Sequence, residues 1–238
     1  MACLDKHVLS RFGSDPSTAI RLQIEAARAR LGAFAGTQAK MCGEGWIIKA
    51  VEADLPGDEI RGVKITGSFD RLDYNTQTGH WRVYDYKTFN YAQNPVGTHT
   101  KTGVAGERFT AEIRKRNNKG EDTGETKLIR WKDLQLPVYH RAMKKWPGIG
   151  EQGIVHVGYL CLPARVGDTG EEIWKHYHED YLAAAEAQIT QIVEAIKTGG
   201  KDAYQPSDEG SQYPLLAALK GRRMKEYMNL DQLGGTRT

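Results

Sequence analysis

Cysteine is scarce in this chain: Cys3, Cys42 and Cys161 are the only three in 238 residues, far apart and odd in number. That excludes a disulfide framework, and the lack of a C-x-x-C pair excludes the usual four-ligand zinc and iron–sulfur patterns. Such thiols suit a reducing compartment, and a cytoplasmic location is expected. No apolar run approaches the ~20 residues of a membrane span, and the start lacks the basic-then-apolar layout of a signal peptide, so no membrane partner is expected. No G-x-x-x-x-G-K-[ST] motif occurs. No nucleotide cofactor is therefore expected, and any ATP-driven action would have to come from a partner protein or from a missing part of a larger chain. Positive charge is not in excess either: a net charge of +3 is too small by itself to indicate a nucleic-acid partner. There is no internal repeat and no second apolar core, so residues 1–238 are expected to form one α/β domain.

What is present is an ordinary globular composition, 39% hydrophobic and 26% charged, in a chain long enough to bury a sizeable core. Leu4, Val8, Leu9 and Phe12 fall at helical spacing before Gly13. Asp15-Pro16 then offers a cap and a first-turn proline to a second helix, whose apolar face runs through Ile20, Ile24, Ala27, Leu31 and Phe34 and which is expected to fade across residues 36–43. Strand texture follows in WIIKAVEADL, RGVKITGSFDRLD and WRVYDYKT, separated by the turns LPGDE and YNTQTGH, which predicts an antiparallel meander. Residues 89–130 read as a long insertion of the functional or mobile kind. Beyond it comes a helix in WKDLQLPVYHRAMKKW that either starts around Asp133 or kinks at Pro137, because proline is tolerated only near a first turn, and then the strand IVHVGYLCL with a shorter one after ARVGDTGE. A long helix over 180–197 and a short one over 213–228 complete the pattern. Two clusters, IRKRNNK at 113–119 and KGRRMK at 220–225, each carry four positive charges; they are candidates for phosphate contacts, the alternative being solvated surface.

The chemistry concentrates in residues 67–88. Read as a hairpin, this stretch puts Asp70 on one strand and Asp85 and Lys87 on the other, the last two facing the same way because they are two apart. Two carboxylates beside an amine can hold a divalent metal and manage a water nucleophile at a phosphodiester. Asp70, Asp85 and the backbone carbonyl of Tyr86 could serve as oxygen ligands, with Lys87 orienting the water or stabilising the anionic transition state. The bland alternative is a surface Asp70 paired with Arg71 or Lys64.

The order G-x-x-D-R-x-D, a turn, D-Y-K-T, and later a helix with Q-x-x-x-Y resembles the RecB-like, AddB C-terminal-like branch of the PD-(D/E)XK nuclease superfamily. The residues that carry the resemblance are Gly67, Asp70, Arg71 and Asp73, then Asp85, Tyr86, Lys87 and Thr88, then Gln135 and Tyr139, with His7 and Glu52 upstream. The resemblance implies a restriction-endonuclease-like core, a central mixed sheet flanked by helices. It also implies a Mg²⁺- or Mn²⁺-dependent deoxyribonuclease, an exonuclease acting on DNA ends or single strands in recombination or repair. The alternative is a non-catalytic DNA-binding module of a larger helicase–nuclease complex. Residue by residue, it implies that His7, Asp70, Asp85 and the Tyr86 carbonyl bind the metal, that Lys87 positions the nucleophile, and that Glu52 acts close to the metal through water. Gln135, Tyr139 and Arg71 would contact DNA. Some relatives hold an iron–sulfur cluster on one upstream cysteine and three near the C-terminus; with no cysteine after Cys161, no cluster is expected in this chain. Phe89 stands where the family usually has glycine, and residues 89–130 exceed the family's need, which leaves the shape of the substrate open.

Overall fold

The computed structural model describes residues 2–199 apart from 151 and 178. The helix expected over 213–228 and the basic cluster at 220–225 lie outside the described residues. The chain divides into two units, Met1–Glu194 and Ala195–Thr238. The first unit begins with α1 (Ala2–Phe12), α2 (Thr18–Gly43), β1 (Trp46–Asp54), β2 (Asp58–Ile60), β3 (Val63–Ile65), β4 (Ser68–Asn75) and β5 (Trp81–Lys87). There follow α3 (Pro95–His99), β6 (Thr100–Thr102), β7 (Thr110–Arg116), β8 (Asp122–Trp131), α4 (Gln135–Met143), β9 (Val155–Cys161), β10 (Gly170–Ile173) and α5 (Glu179–Thr198). No described helix is long and apolar enough to cross a membrane.

The main sheet has the order β1-β4-β5-β9-β10, antiparallel throughout except for the parallel pair β5–β9 at its centre. It is a five-stranded mixed sheet flanked by helices, the α/β class expected. Strands inside a sheet are covered on both faces, and this is why WRVYDYK and VHVGYLC carry apolar residues at successive positions rather than in strict alternation. Gly158 of β9 is required by close approach, since a Cβ there would lie 2.5 Å from the Glu172 carbonyl oxygen. Val83, Val157 and Tyr159 pack with Leu136 and Met143 of α4 and with Trp174. Tyr84 and Leu160 instead join Met41 and Trp46, with Phe34 of α2 against Tyr86.

Several local expectations give way to packing. LPGDE is not a plain turn: Asp58–Ile60 pairs with Val63–Ile65, and the small hairpin is held by the buried Asp58 carboxylate, which accepts from Arg141 at 2.5 Å and from Lys145. Ile60 packs with Ile189 and Val193 of α5. α2 starts at Thr18, Asp15 pairing with Arg21 instead of capping. The helix also runs on through Gly36, because burial of Met41 and the seat of Phe34 outweigh the ~1 kcal/mol that an interior glycine costs. Residues 89–130 are structured, forming α3 and the antiparallel sheet β6-β8-β7, with Ile113, Ile129 and Trp131 inside the main core. Two of the four cations of the 113–119 cluster are answered by carboxylates within the protein: Arg114 pairs with Asp180 at 2.6 Å and Asp122 at 3.2 Å, and Lys115 with Glu125 at 2.7 Å.

On β4, Arg71 is only 1% exposed. Its guanidinium forks onto Asp73 with bonds of 2.7 and 2.6 Å and reaches the side-chain carbonyl of Gln38 on α2 at 2.6 Å, so a buried ion pair pins the helix to the sheet. Removing one partner strands the other charge. Arg71→Met is expected to lower the unfolding free energy by about 3–5 kcal/mol, read as a shift of the urea midpoint at unchanged slope. A loss within the ~1 kcal/mol of an exposed pair would show that the fork does not pin α2.

Candidate active site

The register that pairs Arg71 with Tyr84 and Leu72 with Val83 brings Asp70 level with Asp85 on one face of the β4–β5 hairpin. Asp70 is held through Oδ2, which accepts the Tyr86 backbone N–H at 2.6 Å. Asp85 is 6% exposed. Its Oδ1 accepts from the Gln135 amide at 2.8 Å. Its Oδ2 faces the Lys87 ammonium at 2.6 Å. Burial pushes the Asp85 carboxyl above the usual carboxylate range; the Lys87 ammonium opposes this, the charge of Asp70 adds to it, and Gln135 opposes it.

The walls come from neighbouring elements. The parallel register sets Tyr159 beside Asp85, and the Lys87 ammonium rests 4.9 Å from the centre of the Tyr159 ring. Gln135 opens α4, where its N–H bonds the Asp133 carboxylate at 2.7 Å, so the helix start and the amide that touches Asp85 are fixed together. One turn later, Tyr139 accepts from Gln135 at 3.1 Å and donates to the Ser68 carbonyl at 2.9 Å. Asp70, Asp85, Lys87, Gln135 and Tyr139 are thus brought to one place. Tyr139 is buried, with its hydroxyl bonded to the Ser68 carbonyl. Tyr159, Asp133, Ser68 and the buried His99 behind Tyr159 belong to the same constellation, and no motif marks them in the sequence.

Glu52 is exposed on β1, between the pairs Val51–Arg71 and Ala53–Phe69, and so falls opposite Asp70. Its φ of 45° is unusual for a non-glycine in a strand, a strain of about 1–3 kcal/mol of the kind found at functional positions. Two of the implied residues are not brought to the site. His7 lies exposed on α1, a helix none of whose described residues is buried, and no three His, Cys, Asp or Glu side chains gather as a metal group among the described residues. The His7–Asp70–Asp85 trio is therefore not assembled. Arg71 is committed to Asp73 and Gln38 inside the fold and offers nothing to a phosphate.

A family model for the PD-(D/E)XK nuclease superfamily matches residues 2–213. The chain belongs to that superfamily. No curated protein matches it. PD-(D/E)XK nucleases are typically metal-dependent phosphodiester hydrolases that use Mg²⁺ or a similar ion, and the nuclease domain implies DNA as substrate. The donors present in this PD-(D/E)XK chain fit such an ion. Asp70 and Asp85 are hard oxygen ligands level with each other across the hairpin, and Mg²⁺ needs few protein ligands because it keeps several waters.

Because the folded value for Asp85 lies above the unfolded one, its protonated form contributes stability that is complete below the ordinary carboxylate range and lost as the pH rises through the folded value. Asp85→Asn, neutral at every pH, is therefore expected to melt above the parent in EDTA at about pH 8 and to lose that advantage at about pH 4. Equal melting temperatures at both would show that the carboxylate is not burdened by its burial.

Proposed function

We propose that this chain is a Mg²⁺- or Mn²⁺-dependent deoxyribonuclease of the RecB-like branch. It acts exonucleolytically on DNA ends or single strands in recombination and repair, in the cytoplasm, and works with a helicase or recombination partner. The observation that carries the chemistry is the meeting of Asp70, Asp85 and Lys87 on the β4–β5 hairpin. Asp70, Asp85 and the Tyr86 carbonyl would hold the ion, which when bound supplies positive charge to the phosphate and lowers the pKa of a coordinated water. Lys87 engages Asp85 and has further N–H donors, which orient the attacking water and meet the charge that develops on the phosphoryl oxygens. Gln135 holds Oδ1 of Asp85 and so keeps Oδ2 turned to the site. Glu52, opposite Asp70 and open to solvent, acts through water.

The preference for ends or single strands is supported by Phe89 and Tyr91, 46% and 64% exposed, which follow Lys87 closely. Their segment is anchored at the end of the central strand pair, where the Phe89 and Asn90 carbonyls accept the N–H groups of Ala164 and Arg165 at 2.9 and 3.2 Å. Exposed rings stack only on bases freed from the duplex, at about 1–3 kcal/mol per base.

Labelled DNA incubated with the protein and Mg²⁺ is expected to be cut, and EDTA or Asp85→Ala to abolish cutting; Lys87→Ala should slow it by about 100- to 1000-fold. Protein that binds DNA in a salt-dependent way but never cuts it would be the non-catalytic module instead. The double variant Phe89→Ala, Tyr91→Ala is expected to weaken single-strand binding by about tenfold or more without changing its salt dependence. Unchanged single-strand affinity would remove the argument for that substrate.

A further inference from the structure

His99 ends α3 at the entrance to the inserted sheet and is wholly buried. Its ring lies nearly parallel to those of Tyr159 and Trp174, at centroid distances of 5.8 and 5.1 Å and interplanar angles of 28° and 20°. Both ring nitrogens are engaged. Nδ1 lies 3.0 Å from the Asp133 carbonyl oxygen, which can only accept, so Nδ1 carries the proton. Nε2 is then bare and accepts the Tyr159 hydroxyl at 2.7 Å. Burial lowers the imidazole pKa, which keeps the ring in the neutral form that this pattern needs.

The two partners lead to opposite sides of Asp85. Tyr159 carries the Lys87 ammonium over its ring. Asp133 holds the first N–H of α4, and Gln135 in turn holds Asp85. We propose that His99 is a positioning residue of the nuclease site: one buried imidazole grips Tyr159 with one nitrogen and the Asp133 main chain with the other, and thereby sets Lys87 and Gln135 at their distances from Asp85. This role rests on the chain being a nuclease. It gives the inserted segment a task, because α3 delivers to the back of the site a ring with two hydrogen-bonding positions in fixed relation. No apolar side chain offers that, and a flexible amide offers it only by freezing its torsions. His99 touches no reacting atom, so its effect travels through the placement of other groups.

The test uses three variants. His99→Phe keeps a stacked ring and removes both bonds; the main-chain carbonyl of residue 99 still accepts the Lys132 N–H at 2.8 Å, so the local strap is retained. Tyr159→Phe keeps the ring under Lys87 and removes one bond. His99→Phe is expected to cut DNA about tenfold or more slowly at saturating substrate, with KM changed by less than about twofold. Tyr159→Phe is expected to show a smaller loss of the same kind. The double variant should be no slower than His99→Phe alone, since both changes remove the same bond. A purely structural histidine would lower the melting temperature and leave kcat at low temperature untouched, and that result overturns the inference, as does a loss confined to KM or a double variant whose losses multiply. Should His99→Phe fail to fold, Tyr159→Phe decides alone: an unchanged kcat rejects the role, and a reduced kcat at constant KM supports it. A parent protein that does not cut DNA with Mg²⁺ overturns the nuclease reading and the role of His99 with it, whereas an active parent matched by active variants overturns only the latter.

Discussion

A carboxylate carried on an inner strand of a sheet must be answered by its neighbours or shifted in its protonation, and Asp85 is answered only in part. Lys87 and Gln135 each supply one contact; Asp70, level with it across the hairpin, works against them. Asp73, on the adjoining strand, is pushed up by its burial in the same direction. It is as deeply buried, yet the Arg71 fork satisfies both of its oxygens. One carboxylate closes the fold and the other, level with Asp70, leaves a demand for positive charge that Lys87 meets only in part. A site built to receive a cation carries that kind of debt.

The elements around the hairpin are arranged so that the unmet demand stays in place. The parallel pairing of β5 with β9 brings Tyr159 under the Lys87 ammonium, and the connection between those strands brings α4, whose first residue reaches back to Asp85. The inserted sheet shares the core through Ile113, Ile129 and Trp131, so it is part of the body that fixes α4 and not an appendage. Precision at the carboxylates therefore depends on packing several residues away from any group that could meet a substrate.

The hairpin is legible in the sequence because its chemistry is local: Asp85 and Lys87 two apart on a strand, Asp70 just across a short turn. Gln135 and Tyr139 are legible as one helical face, and α5 as a long apolar stripe. What escapes depends on contacts between distant segments. Nothing near Arg71 foretells that its charge is consumed by Asp73 and Gln38, a residue 33 positions earlier. Nothing near His99 foretells Tyr159, 60 positions later. The β7–β8 sheet is hidden by its charged outer positions, which pair with one another across the strands and dilute the apolar alternation that marks a half-buried sheet. His7 misleads for the opposite reason: its position in the order of motifs is matched, but α1 buries no described residue that could carry it to the hairpin.

The parallel pair at the centre of the sheet also bears on the order of assembly. Trp81 meets Val155, a separation of 155 − 81 = 74 residues, whereas the hairpin that carries Asp70 and Asp85 closes over a short turn. Local pairs form early and pairs that close long loops form late. On the ribosome the chain would emerge with its carboxylates side by side while the aromatic seat for Lys87 was still unmade. A half-synthesised copy would carry the acidic pair and Lys87 on one hairpin, and the wall behind the ammonium would be completed only with β9, when the central strands join.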